Sequence, residues 1–186
     1  MAKHRQYHNQ GSATLFLAEV GVAAALAFIL SRLKIYQMPQ GGSISLEMLP
    51  VLFIAFLRGP KQGAAAGVVT GLLKLVFGGY VAHPVQAIMD YPLGSMVLGL
   101  APLFAMGRGA TRVITGTLGG AILQLACFVV SGAVFFAAYA PEGMSPWKYS
   151  LVYNATVVLP EAVISALIAA YLVNRSGVLQ RKGRGR

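Results

Sequence analysis

The sequence predicts an all-α integral membrane protein, built as a bundle of six transmembrane helices. The chain of 186 residues is 56% hydrophobic and only 11% charged, whereas a soluble domain carries about 25% charged residues. Its apolar residues form long runs, which is typical of membrane spans. The charges fall mainly in the gaps between those runs, and the mean hydropathy is +0.67.

Six apolar segments divide the chain, and we assign them to one domain because no internal repeat is evident. The second and third are shorter than the roughly 20 residues needed to cross a bilayer squarely, so we expect short helices that lean on their neighbours. Residues 174–186 are expected to form a basic cytoplasmic tail. The six segments cover approximately residues 13–33, 46–57, 62–77, 84–106, 111–138 and 149–173.

The basic residues predict the orientation, because Lys and Arg concentrate in cytoplasmic loops. The basic start of the chain resembles a signal peptide, but the apolar run is long enough to span, so we expect a retained first helix. With both termini cytoplasmic, eleven of the fifteen basic residues lie inside. They are Lys3, Arg5, Arg58, Lys61, Arg108, Arg112, Arg175, Arg181, Lys182, Arg184 and Arg186.

The loops assigned to the outer side are the chemically varied ones. The inward connections "RGPKQ" and "GRGATR" are short. Long, varied loops on one side suggest that a ligand enters from that side. The outward segments read "KIYQMPQGGSISLEM", "GGYVAHPV" and "AYAPEGMSPWK".

An acidic residue interrupts the fourth segment, in the stretch "HPVQAIMDYPLG" at residues 83–94. A charged carboxylate at mid-membrane costs on the order of 2.5–3.5 kcal/mol, so Asp90 should face a partner or a wet cavity. Gln86 lies four residues earlier and His83 seven, which places all three on one helical face. We interpret this polar stripe as a ligand site. A structural network between helices and a proton relay are the alternatives.

An aromatic stripe lies along one face of the fifth segment, because its members recur at spacings of four, four and three residues. The glycine among them leaves a gap between rings in which a flat molecule could lie. Plain packing is the alternative. Together with Asp90, these rings suit a flat ligand that is cationic or bears an amine. The stripe consists of Phe128, Gly132, Phe136 and Tyr139.

Polar and aromatic residues also open the sixth segment. Tyr149 and Tyr153 lie one turn apart, and Asn154 and Glu161 share a face at a spacing of seven. An asparagine amide offers both a donor and an acceptor, which suits a heterocycle. Tyr149 could equally belong to an interfacial aromatic belt. For Glu161, deep in the segment, we expect pairing with a polar neighbour that supports the fold.

Small residues recur every four positions in two places. Gly63, Gly67 and Gly71 form one ridge, and Gly21 and Ala25 form another. Ridges of this kind allow helices to approach closely. Packing within the bundle and a flat docking face for another membrane protein are both possible at this point.

Several classes of function lack their signature in the sequence. There is no Walker A motif, so the chain is not expected to hydrolyse ATP through a P-loop. No credible metal-ligand spacing occurs, and we expect no cofactor. Cys127 is the one cysteine, which excludes a disulfide within the chain. The basic residues sit at the ends of apolar runs, as a lipid bilayer demands, and we expect no nucleic-acid partner.

The sequence resembles the thiamine-specific substrate-binding (S) components of energy-coupling factor (ECF) transporters. The resemblance rests on "MPQGGSISLEMLP" (38–50), "HPVQAIMDYPL" (83–93) and "FFAAYAPEGMSPWKYSLVYN" (135–154), followed by "LPEAVIS". It implies a multi-pass protein of the prokaryotic cell membrane that binds thiamine near the outer face. It further implies a transmembrane coupling subunit and two ABC-type ATPases as partners.

The resemblance also implies which residues bind the ligand. The family's acid–tyrosine pair on the fourth segment matches Asp90 and Tyr91, and its tyrosine and asparagine on the sixth match Tyr149 and Asn154. Phe136 matches an aromatic residue that stacks on a ligand ring. The full expected set, including the polar stripe, is Asp90, Tyr91, Phe128, Phe136, Tyr149, Asn154, Gln86 and His83.

Gly21 and Ala25 match the small-residue motif on the first helix that contacts the coupling subunit in this family. Two positions depart from the family pattern. Phe128 stands where members can carry a histidine, which preserves stacking and removes a polar contact. The first outer loop offers Gly41 and Gly42 where some members have a tryptophan.

The expected function is therefore capture of thiamine at the outer face and its delivery inward by an ATP-driven energising module. The loop after the first helix would close over the ligand, and the bundle would then topple within the coupling subunit. One alternative is an S component for another small heterocycle, such as a thiamine precursor. An intramembrane enzyme that uses Asp90 and Glu161 as acid and base, and a scaffolding subunit, are further alternatives.

Overall fold

Helices make up most of the described chain. The computed structural model describes the backbone of residues 2–39 and 41–176, and the side chains of residues 13–39 and 41–176. A two-stranded antiparallel hairpin, β1 (Tyr36–Gln37) and β2 (Ser43–Ile44), joins the first two helices. The α-helices are α1 (Ala2–Arg32), α2 (Met48–Arg58), α3 (Pro60–Val76), α4 (Pro84–Ile88), α5 (Gly94–Gly99), α6 (Gly109–Phe135) and α7 (Pro146–Arg175).

Several helix ends differ from those expected from the apolar runs, and α7 begins at Pro146 instead of about residue 149. Helix α1 begins at Ala2 instead of about residue 13, because an apolar run marks the lipid-compatible part of a helix and not its end. Helix α6 ends at Phe135, before the expected residue 138, and a 3-10 turn over Ala137–Tyr139 follows. Of the expected basic tail, residues 177–186 lie outside the described part of the chain.

The fourth segment is not one continuous helix. It consists of α4, a π-helical turn over Met89–Leu93, α5, and a 3-10 turn over Ala101–Phe104. Pro92 lies inside the π-turn. Because proline has no backbone N–H and its ring clashes with the preceding turn, the backbone cannot keep regular α-helical bonding there. It takes a wider turn instead, a feature that is frequent at functional sites.

The glycine ridge of α3 is buried in the bundle. A Cβ atom at any of the three glycines would overlap with the backbone of α5 or of the π-turn. Of the two possibilities left open by the sequence, close packing within the bundle is therefore the one observed. The contacts are Gly63 with Gly99, Gly67 with Ser95, and Gly71 with Tyr91.

Helix α1 lies at the edge of the bundle, where it packs on α2 and α3. Gly21 and Ala25 are exposed on its outward face, and no atom lies within 4 Å of where a Gly21 side chain would begin. An ion pair between Glu19 and Arg58 ties α1 to the end of α2. The second small-residue ridge is thus not used for packing within the described bundle.

The outer surface of the bundle is apolar and its core is rich in small residues. Leu17, Ile122 and Leu167 are each at least 60% exposed, which suits contact with lipid. Alanines such as Ala24 and Ala162 are fully buried, as expected where helices associate by close packing. In the described residues, three helices are long and apolar enough to cross a membrane, over Ala13–Arg32, Gly109–Phe135 and Pro146–Arg175.

Replacing Gly67 by alanine should lower the midpoint of thermal unfolding in detergent, because the added methyl group would overlap with the Ser95 backbone. Overpacking of this kind costs about 1–3 kcal/mol. Gly21→Ala is the matched control, since it adds the same group to a helix where no atom lies within 4 Å. Because alanine is favoured over glycine in helices by about 1 kcal/mol, the thermal midpoint of Gly21→Ala should equal or exceed that of the parent protein. Equal midpoints would contradict the packing role of the ridge.

Candidate ligand-binding site

A cavity of about 640 Å³ lies between the β-hairpin and helices α3, α6 and α7, with the α4–π-turn segment forming another wall. This volume falls within the range of about 300–1,000 Å³ found for small-molecule sites. Of the eight ligand-binding residues expected from the sequence, all but His83 line the cavity. The seven are Gln86, Asp90, Tyr91, Phe128, Phe136, Tyr149 and Asn154.

The π-turn brings Asp90 and Tyr91 to the cavity together. Consecutive residues of a regular α-helix point in directions about 100° apart, since the helix has 3.6 residues per turn. In the wider turn both side chains reach the cavity wall. The same turn is held from behind by the contact of Gly71 with the Tyr91 backbone. The position of both residues is therefore set by backbone packing.

Gln86 is the direct partner of Asp90. Its Nε2 atom donates a hydrogen bond to Oδ2 of Asp90 at 2.7 Å. The Gln86 side chain is 1% exposed, and its Oε1 atom accepts from the backbone N–H of Ala82 at 2.9 Å. Gln86 and Asp90, two of the three members of the expected polar stripe, are thus joined by a hydrogen bond. The buried glutamine amide supports the carboxylate, which lies at the cavity.

His83 lies apart from this pair. It is the N-cap of α4, where its Nδ1 atom accepts a hydrogen bond from the N–H of Val85 at 3.2 Å. Its exposed ring stacks on Phe135, with a centroid distance of 5.0 Å. The expected face of His83, Gln86 and Asp90 assumed one regular helix. His83 precedes the helix and the π-turn changes the register, so the spacing argument fails for this residue.

All members of the expected aromatic stripe line the cavity, but Phe136 and Tyr139 follow the end of α6, so one helical face does not place them there. The glycine of the stripe also has a different role. The Phe136 ring lies 6.1 Å from the rings of both Tyr80 and Tyr139, measured between centroids. At Gly132 a side chain would overlap with Ser150 of α7. The absent side chain therefore allows α6 and α7 to approach closely, and the expected gap for a flat molecule at this glycine is occupied by Ser150.

Asn154 belongs both to the cavity wall and to the frame between α6 and α7. Its Nδ2 atom donates to the backbone carbonyl of Ser150 at 2.9 Å. Ser150 in turn donates through its hydroxyl to the carbonyl of Val129 at 2.9 Å. Tyr149 lines the cavity next to Tyr153, with a ring-centroid distance of 5.9 Å. These contacts fix the α7 side of the site.

The β-hairpin closes one side of the cavity. The backbone N–H of Gly42 donates to the hydroxyl of Tyr153 at 3.1 Å, which seats the hairpin turn on α7. Gly41 has φ +102°, a left-handed conformation that favours glycine. A side chain at Gly42 would press on Tyr153 and Val157. The two glycines therefore let this loop lie close to the helix.

A partly buried cluster of charged and polar side chains borders the cavity next to the hairpin. Lys74 of α3 pairs with Glu47, with Nζ and Oε1 2.5 Å apart. Ser45 donates its hydroxyl to Oε1 of Glu161 at 3.0 Å, and Ser45 and Glu161 are only 1% and 3% exposed. Glu161 therefore has a polar partner that supports the fold. The cluster ties the segment after β2 to both α3 and α7.

Sequence reasoning missed several cavity residues. Glu47 and Lys74 were not in the expected set, although Glu47, like Asp90, is one of only five acidic residues in the chain. Gln124 also lines the cavity, and its position four residues before Phe128 on the same helical face could have revealed it. Tyr80 lies in a loop, where no periodic pattern identifies it.

Comparison with known proteins assigns the chain to a protein family. The family model described as "Thiamine transporter protein (Thia_YuaJ)" matches residues 17–180. The chain belongs to this family. It is 36% identical over 178 residues to the thiamine transporter ThiT of Bacillus subtilis (strain 168), and the match covers 88% of this chain and 93% of that protein.

Further relatives of this family member agree in sequence and in structure. ThiT of Lacticaseibacillus paracasei is 28% identical over 183 residues, covering 90% of each chain. The solved structure of ThiT from Listeria monocytogenes superposes with a TM-score of 0.80 at 27% identity, over 90% of this chain and 98% of that one. The S component of a bacterial ECF transporter shares the fold, with a TM-score of 0.53 at 17% identity, over 94% of this chain and 99% of that one.

Lys74→Met should lower the thermal midpoint strongly, because it leaves Glu47 without its cation inside the bundle. Breaking a fully buried pair costs about 3–5 kcal/mol, and this pair, with side chains 23% and 17% exposed, should lose part of that amount. Adding Glu47→Gln should recover part of the loss. Arg58→Met removes the cation of a pair whose arginine side chain is 50% exposed, and pairs of that kind contribute about 0–1 kcal/mol. A Lys74→Met midpoint no lower than that of Arg58→Met would show that the cluster does not stabilise the fold.

Proposed function

We propose that this protein is the thiamine-binding S component of an ECF-type vitamin importer. The observation that carries the proposal is the cavity, where the Asp90 carboxylate faces several aromatic rings and an amide. Thiamine is a flat molecule with a permanent positive charge on one ring and an amino group on the other. Charge pairing with the carboxylate and cation–π contacts with the rings would offset its desolvation.

Six of the cavity residues expected from the sequence are proposed to contact the ligand. Asp90 supplies the negative charge, and Gln86, whose amide is engaged behind it, orients that carboxylate. His83 caps α4 outside the contact set. The aromatic rings that would stack on the ligand, and the other polar groups, come from the π-turn, from α6 and the residue that follows it, and from α7. The proposed contacts are Asp90, Tyr91, Phe128, Phe136, Tyr149 and Asn154.

The proposed setting is a prokaryotic plasma membrane, which the chain crosses as a single domain of six spans with both termini cytoplasmic. Three long apolar helices support spans one, five and six. The shorter α2 and α3 pack on α1, and α5 packs on α3 and α6, which supports the proposal that these short or irregular segments lean on their neighbours. The excess of basic residues at the termini and in two of the connections supports the orientation.

The proposed partners are a transmembrane coupling subunit and two ABC-type ATPases. The exposed face of α1 with Gly21 and Ala25 is the proposed contact with the coupling subunit. It is supported by its small residues and by its position at the edge of the bundle, since such faces allow close helix approach.

Titration of the protein in detergent with thiamine, followed by calorimetry or by the fluorescence of Trp147, tests the ligand. Asp90→Asn should weaken binding by roughly 10- to 150-fold, because a hydrogen bond to a charged group is worth about 1.5–3 kcal/mol. Glu142→Gln, which removes an exposed carboxylate from the loop before α7, should bind like the parent. Absence of binding at micromolar thiamine contradicts the proposal. Tighter binding of its pyrimidine or thiazole half identifies a precursor as the ligand.

Substitution on the α1 face should separate capture from transport. Gly21→Leu is expected to leave thiamine binding unchanged, because the position lies away from the cavity and faces open space. Uptake into vesicles that contain the energising module should fall at least severalfold, since a bulky residue blocks close helix approach. Gly41→Leu should have the opposite effect and impair thiamine binding, because Gly41 lines the cavity and has a left-handed backbone conformation that favours glycine. Normal uptake by Gly21→Leu would exclude this face as the coupling contact.

A further inference from the structure

Residues 80–82, named here the cap segment, lie within the connection between α3 and α4 at the edge of the cavity. Their side chains are exposed, with Tyr80 at 64% and Val81 at 54%. Tyr80 nevertheless lines the cavity, and its ring lies 6.1 Å from that of Phe136. The cap segment therefore covers the part of the site where Phe136 is proposed to stack on the ligand.

Two side chains hold the backbone of the cap segment. The N–H of Tyr80 donates to the Tyr91 hydroxyl at 2.7 Å, and that hydroxyl donates back to the Tyr80 carbonyl at 3.3 Å. Gln86 donates to the same carbonyl at 3.3 Å and accepts from the N–H of Ala82 at 2.9 Å. Both side chains neighbour Asp90, one along the chain and the other through a hydrogen bond.

Both N–H groups and the carbonyl oxygen of the Gln86 amide are engaged in hydrogen bonds within the protein. Its two N–H groups point to Asp90 and to the Tyr80 carbonyl, and its oxygen accepts from Ala82. Since a glutamine amide has two donors and one carbonyl acceptor, and this side chain is 1% exposed, little remains for a ligand. Rotation of the amide would break its bonds to Asp90 and to the cap segment at the same time.

We propose that Gln86 is a positioning residue that couples Asp90 to the cap segment, so that capture of a cationic ligand by the carboxylate also fastens the cap segment over the cavity. The inference rests on the proposed binding of thiamine at Asp90. A ligand that holds the carboxylate restricts its rotamers, which in turn holds the amide and the backbone bonded to it. Ordering of one group thereby lowers the entropic cost of ordering the next.

Maleimide labelling of a cysteine at the cap segment tests this coupling. The variant Ala82→Cys is made in a Cys127→Ser background, where saturating thiamine should slow labelling roughly fivefold, the effect of about 1 kcal/mol of added hydrogen bonding. A cysteine at Glu142, in the exposed loop before α7, is the matched control and should label at one rate with and without thiamine. Gln86→Met, similar in length but without the amide, should abolish the protection at Ala82→Cys even at saturating thiamine.

A double-mutant cycle on thiamine affinity distinguishes positioning from packing. Gln86→Met should weaken binding severalfold in the parent but have little effect in an Asp90→Asn background, because its contribution acts through that carboxylate. Gln86→Glu keeps the size and an acceptor for Ala82 while repelling Asp90, and it should behave like Gln86→Met. Equal losses in both backgrounds would show a packing role and overturn the inference.

The outcomes separate the inference from the function on which it rests. If calorimetry shows no thiamine binding to the parent, the proposed function fails and the inference fails with it. If thiamine binds but Ala82→Cys labels at an unchanged rate, the inference alone is overturned. The same holds if protection persists in both Gln86→Met and Gln86→Glu.

Discussion

The structure depends on the constraint that a carboxylate cannot be placed in an apolar bundle without partners. Asp90 lies in the middle of a mainly apolar segment, and the hydrogen bond from Gln86 at 2.7 Å satisfies one of its oxygens. An ionised carboxylate has about four acceptor sites. Asp90 also lines the cavity with its aromatic walls, so a cationic ligand there, as we propose, would give the carboxylate a further partner.

Close helix contacts keep that carboxylate at the cavity. Gly71 lets α3 lie against the π-turn at Tyr91, and Gly132 lets α6 lie against Ser150 of α7. These contacts involve backbone or short side chains, so they leave little freedom for the walls to shift.

Much of the helical fold follows from the sequence because long apolar runs mark helices that are compatible with lipid. The cavity residues within α6 and α7, such as Phe128 and Asn154, also follow, since a helical period places distant residues on one side. Phe136 and Tyr139 follow the end of α6, where that period no longer applies. The role of His83 does not follow, because its spacing from Asp90 has meaning only within one regular helix. Proline at position 92 predicts a kink but not the π-turn. The pairing of Lys74 with Glu47, 27 residues apart, depends on how α2 and α3 pack.

A structure of the protein with thiamine bound tests the central claim most directly. It should show the ligand in the cavity with a polar or charged group in contact with the Asp90 carboxylate, while the bond from Gln86 to Asp90 is retained behind it. Thiamine bound elsewhere, or an Asp90 side chain that only braces neighbouring helices and makes no contact with the ligand, would contradict the account.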